Sequence, residues 1–274
     1  MTGTAEVPGK GAADATGAGW SSASTAGEAL SGRTVVVAGA TSAAGVAVSR
    51  RLAAGGARVV SIGSDAGRLE AALGSIPGVD QRVCDLTDAA AVRSLAAQLA
   101  RDYDGGVSVL VHLVGGWRGG QGIPTQSDED YAFLHSSVFA TLFNTSRAFY
   151  DQLAANDGRL TAVSAAAVEH PTASGASYAA VKAGVEAWLR AVADGFGKDG
   201  TSAASTVLVV KALVDEDMRR AQPERKFPGF TPVEQLADAI AALVAQPAAS
   251  VNGRRFTPAE LLALAGRDTG PAGG

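Results

Sequence analysis

The chain has 274 residues, with 23 Lys and Arg against 27 Asp and Glu and a formal net charge of -4, a length that suits one large α/β domain or two small ones with a full core. Hydrophobic residues make up 47% and charged residues 18%, which excludes disorder for the bulk of the chain, and the mildly acidic balance without a basic block argues against a nucleic-acid partner. The single cysteine, Cys84, excludes an intramolecular disulfide and a cysteine-cluster metal site.

Residues 1–29 are Gly, Ala, Ser and Thr punctuated by charges. They carry too little apolar surface to offset their ordering entropy and read as a flexible tail, with Trp20 as a possible anchor. They lack the leucine-rich core of a signal peptide. A folded domain is expected over 30–265, followed by a second loose tail over 266–274. Apolar stretches are strand-length, short of the roughly 20 residues a bilayer crossing needs, so no membrane partner is expected and the location is read as cytoplasmic.

Within 30–265, short β-branched runs alternate with Ala/Leu-rich runs. Strands are expected at 34–37, 58–62, 81–84, 107–114, 159–164, 205–210 and 254–256, the third placing Cys84 as an inert buried thiol. Helices are expected at 45–54, 65–73, 88–102, 127–153, 177–196 and 232–245; in the third of these Val92, Leu95, Ala96 and Leu99 form the apolar stripe. Strands alternating with helices give βαβ units, and right-handed crossovers make them one doubly wound, Rossmann-like α/β domain. Its parallel sheet has about seven strands, with helices on both faces. Gly115 to Gly120 follow a strand and read as a loop at the carboxyl edge of the sheet.

The first strand runs into Ala38-Gly39-Ala40-Thr41-Ser42-Ala43-Ala44-Gly45 as a helix begins. Glycines at a strand-to-helix turn let backbone approach a pyrophosphate, and the helix N-terminus offers N–H groups and partial positive charge. With this octet the chain resembles the short-chain dehydrogenase/reductase family, whose turn reads T-G-x-x-x-G-x-G; here Ala38 stands for the Thr and Ala43 for the middle Gly. The resemblance continues at Asp85-Leu86 after the third strand and at Gly115, the one position kept where the family has N-N-A-G, and covers about residues 31–258. It implies a cofactor cradle of Gly39, Thr41, Ser42, Ala44, Gly45, Ser64, Asp85, Leu86 and Gly115. After the sixth strand the family has P-G-x-x-x-T; Lys211 and Glu216 stand at its ends here, with Ala212 and Val214 between them on the nicotinamide side. An acid ending the second strand would bond the ribose hydroxyls and repel a 2′-phosphate. Gly63 and Ser64 stand there instead, with Asp65 one step later and Arg68 one turn on, so NADP(H) is favoured over NAD(H).

Tyr178 and Lys182 form Y-x-x-x-K, and the i, i+4 spacing puts both on one helix face. A nearby ammonium favours the phenolate, so the Tyr178 pKa is expected to fall and its hydroxyl to exchange a proton with a substrate oxygen. The resemblance further implies that Lys182 holds the ribose and that a serine orients the carbonyl, usually 13 residues before the Tyr. Ala165 occupies that position and Ser164 the next, so Ser164 is the candidate, with Ser174 and Ser177 as weaker substitutes. Val138 falls where many members carry an Asn, and Asn144 lies two turns on. His170 is expected to line the pocket, His112 to end the fourth strand and His135 to lie on the long helix, while Trp117 and Arg118 sit in the loop where Arg118 could clamp a substrate anion.

These readings give an NADP(H)-dependent oxidoreductase interconverting a carbonyl and a secondary alcohol of a small metabolite. The alternatives are a nucleotide-binding member with little redox activity and a Tyr/Lys-dependent dehydratase or isomerase. Phe139, Leu142, Phe143, Phe149, Trp188 and Leu189 exceed a one-sided core stripe and imply a homodimer or homotetramer.

Overall fold

Thr34–Ala38 (β1) is buried along its whole length, as a strand covered on both faces must be, and it occupies the middle of a seven-stranded parallel sheet. The computed structural model describes residues 29–268; most of both expected tails, including Trp20, lies outside them. From β1 the chain enters α1 (Ala43–Ala54), β2 (Arg58–Gly63), α2 (Ala66–Leu73), β3 (Val79–Val83), α3 (Ala89–Asp102) and β4 (Val109–His112). The second half runs through α4 (Asp128–Leu134), a π-turn (His135–Ala140), α5 (Thr141–Ala155), β5 (Arg159–Ala165), α6 (Ala176–Lys198) and β6 (Ala204–Val210). The sheet order is β3-β2-β1-β4-β5-β6-β9, where β9 is Arg255–Phe256. The order reverses between β1 and β4, so the loops leaving those strands diverge and open a crevice at the carboxyl edge.

Two apolar clusters cover the two faces. On one side Val48 and Leu52 of α1 meet Ile240 and Leu243 of α8 (Val233–Ala245) and Leu261 of α10 (Pro258–Asp268). On the other, Val92 and Leu99 of α3 meet Leu142 and Phe149 of α5 and Val185 and Leu189 of α6. Each set recurs at three- and four-residue spacing, which lays one stripe of each helix on the sheet.

Several elements depart from the sequence pattern. β4 is shorter than expected because the chain turns off at Leu113 into the glycine loop. The expected helix over 127–153 is interrupted by the π-turn, where hydroxyls replace backbone partners: Ser137 donates to the Phe133 carbonyl at 2.7 Å, Thr141 to that of Ser137 at 2.7 Å and Thr145 to that of Thr141 at 2.8 Å. Two-residue strands β7 (Leu213–Val214) and β8 (Thr231–Pro232) pair with each other around a short helix, α7 (Glu216–Ala221). A short α9 (Ala248–Val251) precedes β9, and α10 carries helix to Asp268, beyond the 265 boundary expected for the domain. No helix among the described residues is long and apolar enough to cross a membrane.

Candidate active site

The turn after β1 is closed by backbone contact. Gly39 has φ +82°, and a Cβ there would sit 2.7 Å from the Val114 amide nitrogen; one on Gly45 would sit 2.5 Å from the Gly39 carbonyl. Both positions therefore need glycine on steric grounds. Ser42 caps α1, its Oγ accepting from the Gly45 N–H at 3.0 Å, which leaves the first-turn N–H groups of Ala43 and Ala44 facing the crevice without intrahelical acceptors.

Two cavities lie side by side along this edge, of about 420 and 360 Å³, sharing Ser42, Leu113, Val114 and Gly115. Gly39, Thr41, Ser42, Ser64, Asp85, Leu86 and Gly115 line the smaller one with Arg68; Ser42, Ala44, Gly115, Ser164, Tyr178, Lys182 and Ala212 line the larger. Gly45 and Val214 reach neither. Gly45 is packed beneath the turn, and Val214 is buried in the β7–β8 pair. A helix N-terminus flanked by two glycines and two contiguous cavities fits a dinucleotide. At the β2 edge, Asp65 caps α2 by accepting from the Arg68 N–H at 2.7 Å, while the Arg68 guanidinium donates to Ser64 Oγ at 3.1 Å. Asp85 is turned back on its own loop, accepting from the Thr87 N–H and hydroxyl, bonds that lower its pKa.

At the wall of the larger cavity, Tyr178 and Lys182 lie on one face of α6, the ammonium 5.9 Å from the phenol ring centre. Lys182 is 7% exposed and donates to the Val163 carbonyl of β5 at 2.7 Å. Burial pushes its pKa down to about 8 against the opposing pull of Glu186. The expected fall in the Tyr178 pKa is not what the surroundings produce: burial of the phenol raises it. Ser164 also reaches the cavity, but its hydroxyl donates to Glu186 Oε1 at 2.6 Å. The proton expected to orient a carbonyl is thus held by a carboxylate behind it. Glu186, one turn past Lys182, is 6% exposed and ion-paired with Arg255 of β9 at 3.2 Å, and Arg255 reaches on to Glu169 at 2.5 Å.

His112 ends β4 beneath the same cavity. Its Nε2 is 3.0 Å from Thr141 Oγ1. Thr141 spends its proton on the Ser137 carbonyl, which assigns the Nε2–H tautomer to His112. Burial, with the Lys182 charge adding to it, pushes the His112 pKa down to about 3, so the ring is neutral at physiological pH.

Other expectations are corrected by their surroundings. His170 is exposed and outside the cavity lining. Arg118 stacks on the Phe133 ring at 4.1 Å and pairs with Asp130 at 3.5 Å, so it does not face the cavity, whereas Trp117 does. Ser177 donates to Gln126 and Ser174 contacts Thr172. Val138 is buried in the π-turn, and Asn144 donates to the Leu86 and Thr87 carbonyls, away from Lys182. Cys84 is buried beside the smaller cavity, with a thiol pKa raised by burial. Leu142, Phe149 and Leu189 belong to the core; of the helix-face residues only Phe139, Phe143 and Trp188 stay partly exposed. Sequence reasoning missed Glu186 and Arg255. Glu186 was visible as the third member of an i, i+4, i+8 series with Tyr178 and Lys182.

The sequence pattern of the short chain dehydrogenase family matches residues 33–226, and the chain belongs to that family. It is an NAD(P)(H)-dependent oxidoreductase. Among curated proteins it is 29% identical over 234 residues to the (2S)-[(R)-hydroxy(phenyl)methyl]succinyl-CoA dehydrogenase subunit BbsC of Thauera aromatica, covering 81% of this chain and 91% of that one. It is 24% identical over 235 residues to the 3-oxoacyl-[acyl-carrier-protein] reductase FabG of Escherichia coli, covering 81% and 93%. Among solved structures, an NADPH-bound short chain oxidoreductase from Pseudomonas aeruginosa PAO1 containing an atypical catalytic center shares the fold with a TM-score of 0.71 at 24% identity, covering 82% of this chain and 94% of that one.

Proposed function

We propose that the chain is a cytoplasmic NADP(H)-dependent oxidoreductase that interconverts a carbonyl and a secondary alcohol on a small metabolite. The observation that carries this is the pairing of Tyr178 and Lys182 on one face of α6, at the wall of a cavity of about 420 Å³ opening at the switch point of the sheet. When bound, the nicotinamide supplies or takes up a hydride. The chain handles the proton. Tyr178, a phenol whose pKa burial holds up, is proton-loaded at neutral pH and donates to a substrate oxygen. Lys182, buried behind it and titrating near 8, stabilises charge that develops on the phenol oxygen. The relatives' names, a ketoacyl reductase of Streptomyces violaceoruber among them, support carbonyl chemistry.

The preference for NADP(H) rests on the β2 edge. Asp65 is committed to capping α2, while Ser64 and Arg68 face the smaller cavity, so a 2′-phosphate there meets a hydroxyl and a cation. The chain associates as a homodimer or homotetramer through the partly exposed face of Phe139, Phe143 and Trp188, where the Phe143 and Trp188 ring centres are 4.8 Å apart. Titration with NADPH and NADH under identical salt, followed by turnover of a ketone panel, tests the reading. Tighter NADPH binding with turnover is expected; NADH binding equally well rejects the cofactor preference, and binding of either cofactor without turnover rejects the activity.

A further inference from the structure

Behind the cavity lies a chain of polar groups that proton donation to a substrate oxygen does not use. Ser164 Oγ donates to Glu186 Oε1 at 2.6 Å, both side chains buried. Glu186 also accepts from Arg255 Nε at 3.2 Å. A separation of 2.6 Å falls within the range of a hydroxyl donating to an ionised carboxylate, and the Arg255 pairing supplies the countercharge that keeps the carboxylate ionised. A serine hydroxyl has one proton. With that proton fixed on the buried side, only oxygen lone pairs remain to face the cavity, and they can accept but not donate.

We propose that Glu186 is a positioning residue that turns Ser164 into a hydrogen-bond acceptor on the cavity wall, so that the preferred substrate carries a donor, a hydroxyl or an amine, next to the reacting carbonyl. This deepens the oxidoreductase reading and rests on it. A bare carbonyl oxygen gains nothing from Ser164, since two acceptors face each other. An α-hydroxy ketone places its hydroxyl proton on Ser164 and leaves its carbonyl to Tyr178. Its product is a vicinal diol, so the substrate class is the α-hydroxy ketone and vicinal diol pair or the amino analogue.

The test compares cyclohexanone with its α-hydroxy derivative in NADPH-dependent reduction, using wild type, Ser164→Ala and the double variant Glu186→Leu/Arg255→Leu, which removes the buried ion pair and frees the Ser164 proton. Wild type should favour the hydroxy ketone in kcat/KM by about fivefold or more, the scale of one hydrogen bond. Ser164→Ala should lose that preference with NADPH affinity unchanged. In the double variant, Ser164 becomes a donor and the preference should fall or reverse. Retention of the preference in Ser164→Ala, or its absence in wild type that reduces cyclohexanone, overturns the proposal. An infrared difference spectrum of wild type minus Ser164→Ala, with labelled Glu, needs no turnover. A shifted carboxylate band is expected, and a protonated carboxyl band means that Glu186 is the donor and refutes the assignment. If neither ketone reacts, the oxidoreductase reading fails while the infrared result still decides the direction of the bond.

Discussion

Replacing Lys182 by Met should make the protein more stable at neutral pH while abolishing its activity. The Lys182 ammonium is buried, and burial moves its pKa from 10.5 to about 8, which amounts to about 3 kcal/mol of folding free energy spent keeping the charged form at pH 7. Methionine keeps the length of the apolar stem and removes the charge. It also removes the 2.7 Å bond to the Val163 carbonyl, a loss of about 1 kcal/mol, so the variant should gain about 2 kcal/mol at pH 7. The pH dependence gives the sharper check. Between about 8 and 10.5 the unfolded chain holds the Lys182 proton that the folded chain has released, so wild-type stability rises with pH across that window. Above it both states are neutral, the charge penalty is gone, and only the lost hydrogen bond separates the two proteins. Urea unfolding at pH 7 and pH 10.5 should therefore show the Met variant ahead by about 2 kcal/mol at the lower pH and behind by about 1 kcal/mol at the higher. A Met variant that is less stable at pH 7, or a gap that does not change with pH, would refute the picture of a cation held in place at the expense of stability.

Tyr178→Phe should lose a factor of about 10² to 10⁴ in turnover, the scale of general acid catalysis, with NADPH affinity unchanged by fluorescence titration; retention of more than about a tenth of the wild-type rate excludes the acid role. Gly39→Ala should lower thermal stability and weaken NADPH binding about tenfold or more, because the new Cβ meets the Val114 amide at 2.7 Å and must displace the loop shared by both cavities. A variant that binds NADPH normally means that the turn does not carry the cofactor. Trp188→Glu should shift the light-scattering mass to that of a monomer, since a carboxylate would replace the ring packed against Phe143 at 4.8 Å; a wild type that already runs as a monomer at micromolar concentration removes the basis for this.

The architecture was legible because its signals are local. Thr34 to Val37 reads as a buried strand wherever it sits, and Val92, Leu95, Ala96 and Leu99 mark one face of a helix without knowledge of what that face meets. Tyr178 and Lys182 share a face for the same reason. What the pattern could not give was the direction of a single proton. Whether Ser164 donates into the cavity or behind it depends on Glu186, 22 positions away, and on Arg255, from the far edge of the sheet. The fall expected for the Tyr178 pKa assumed that the ammonium dominates. The depth of the phenol in the fold outweighs it, and depth is a property of the assembled core that no spacing encodes. The short β7–β8 pair escaped because two residues carry no periodicity.

The π-turn at His135–Ala140 sets the phase between the two halves of the longest helical run. One residue more than an α-helical path requires is stored there, and everything downstream is clocked by it. Deleting Ser136 would restore an ordinary helix and rotate the following segment by about 100° about its axis. Thr141 would leave His112, Asn144 would leave the Leu86 and Thr87 carbonyls, and Phe149 and Leu153 would swing off the sheet. The segment can therefore exchange side chains over evolutionary time far more readily than it can change its count of residues, and related chains of different length here must compensate within the same turn.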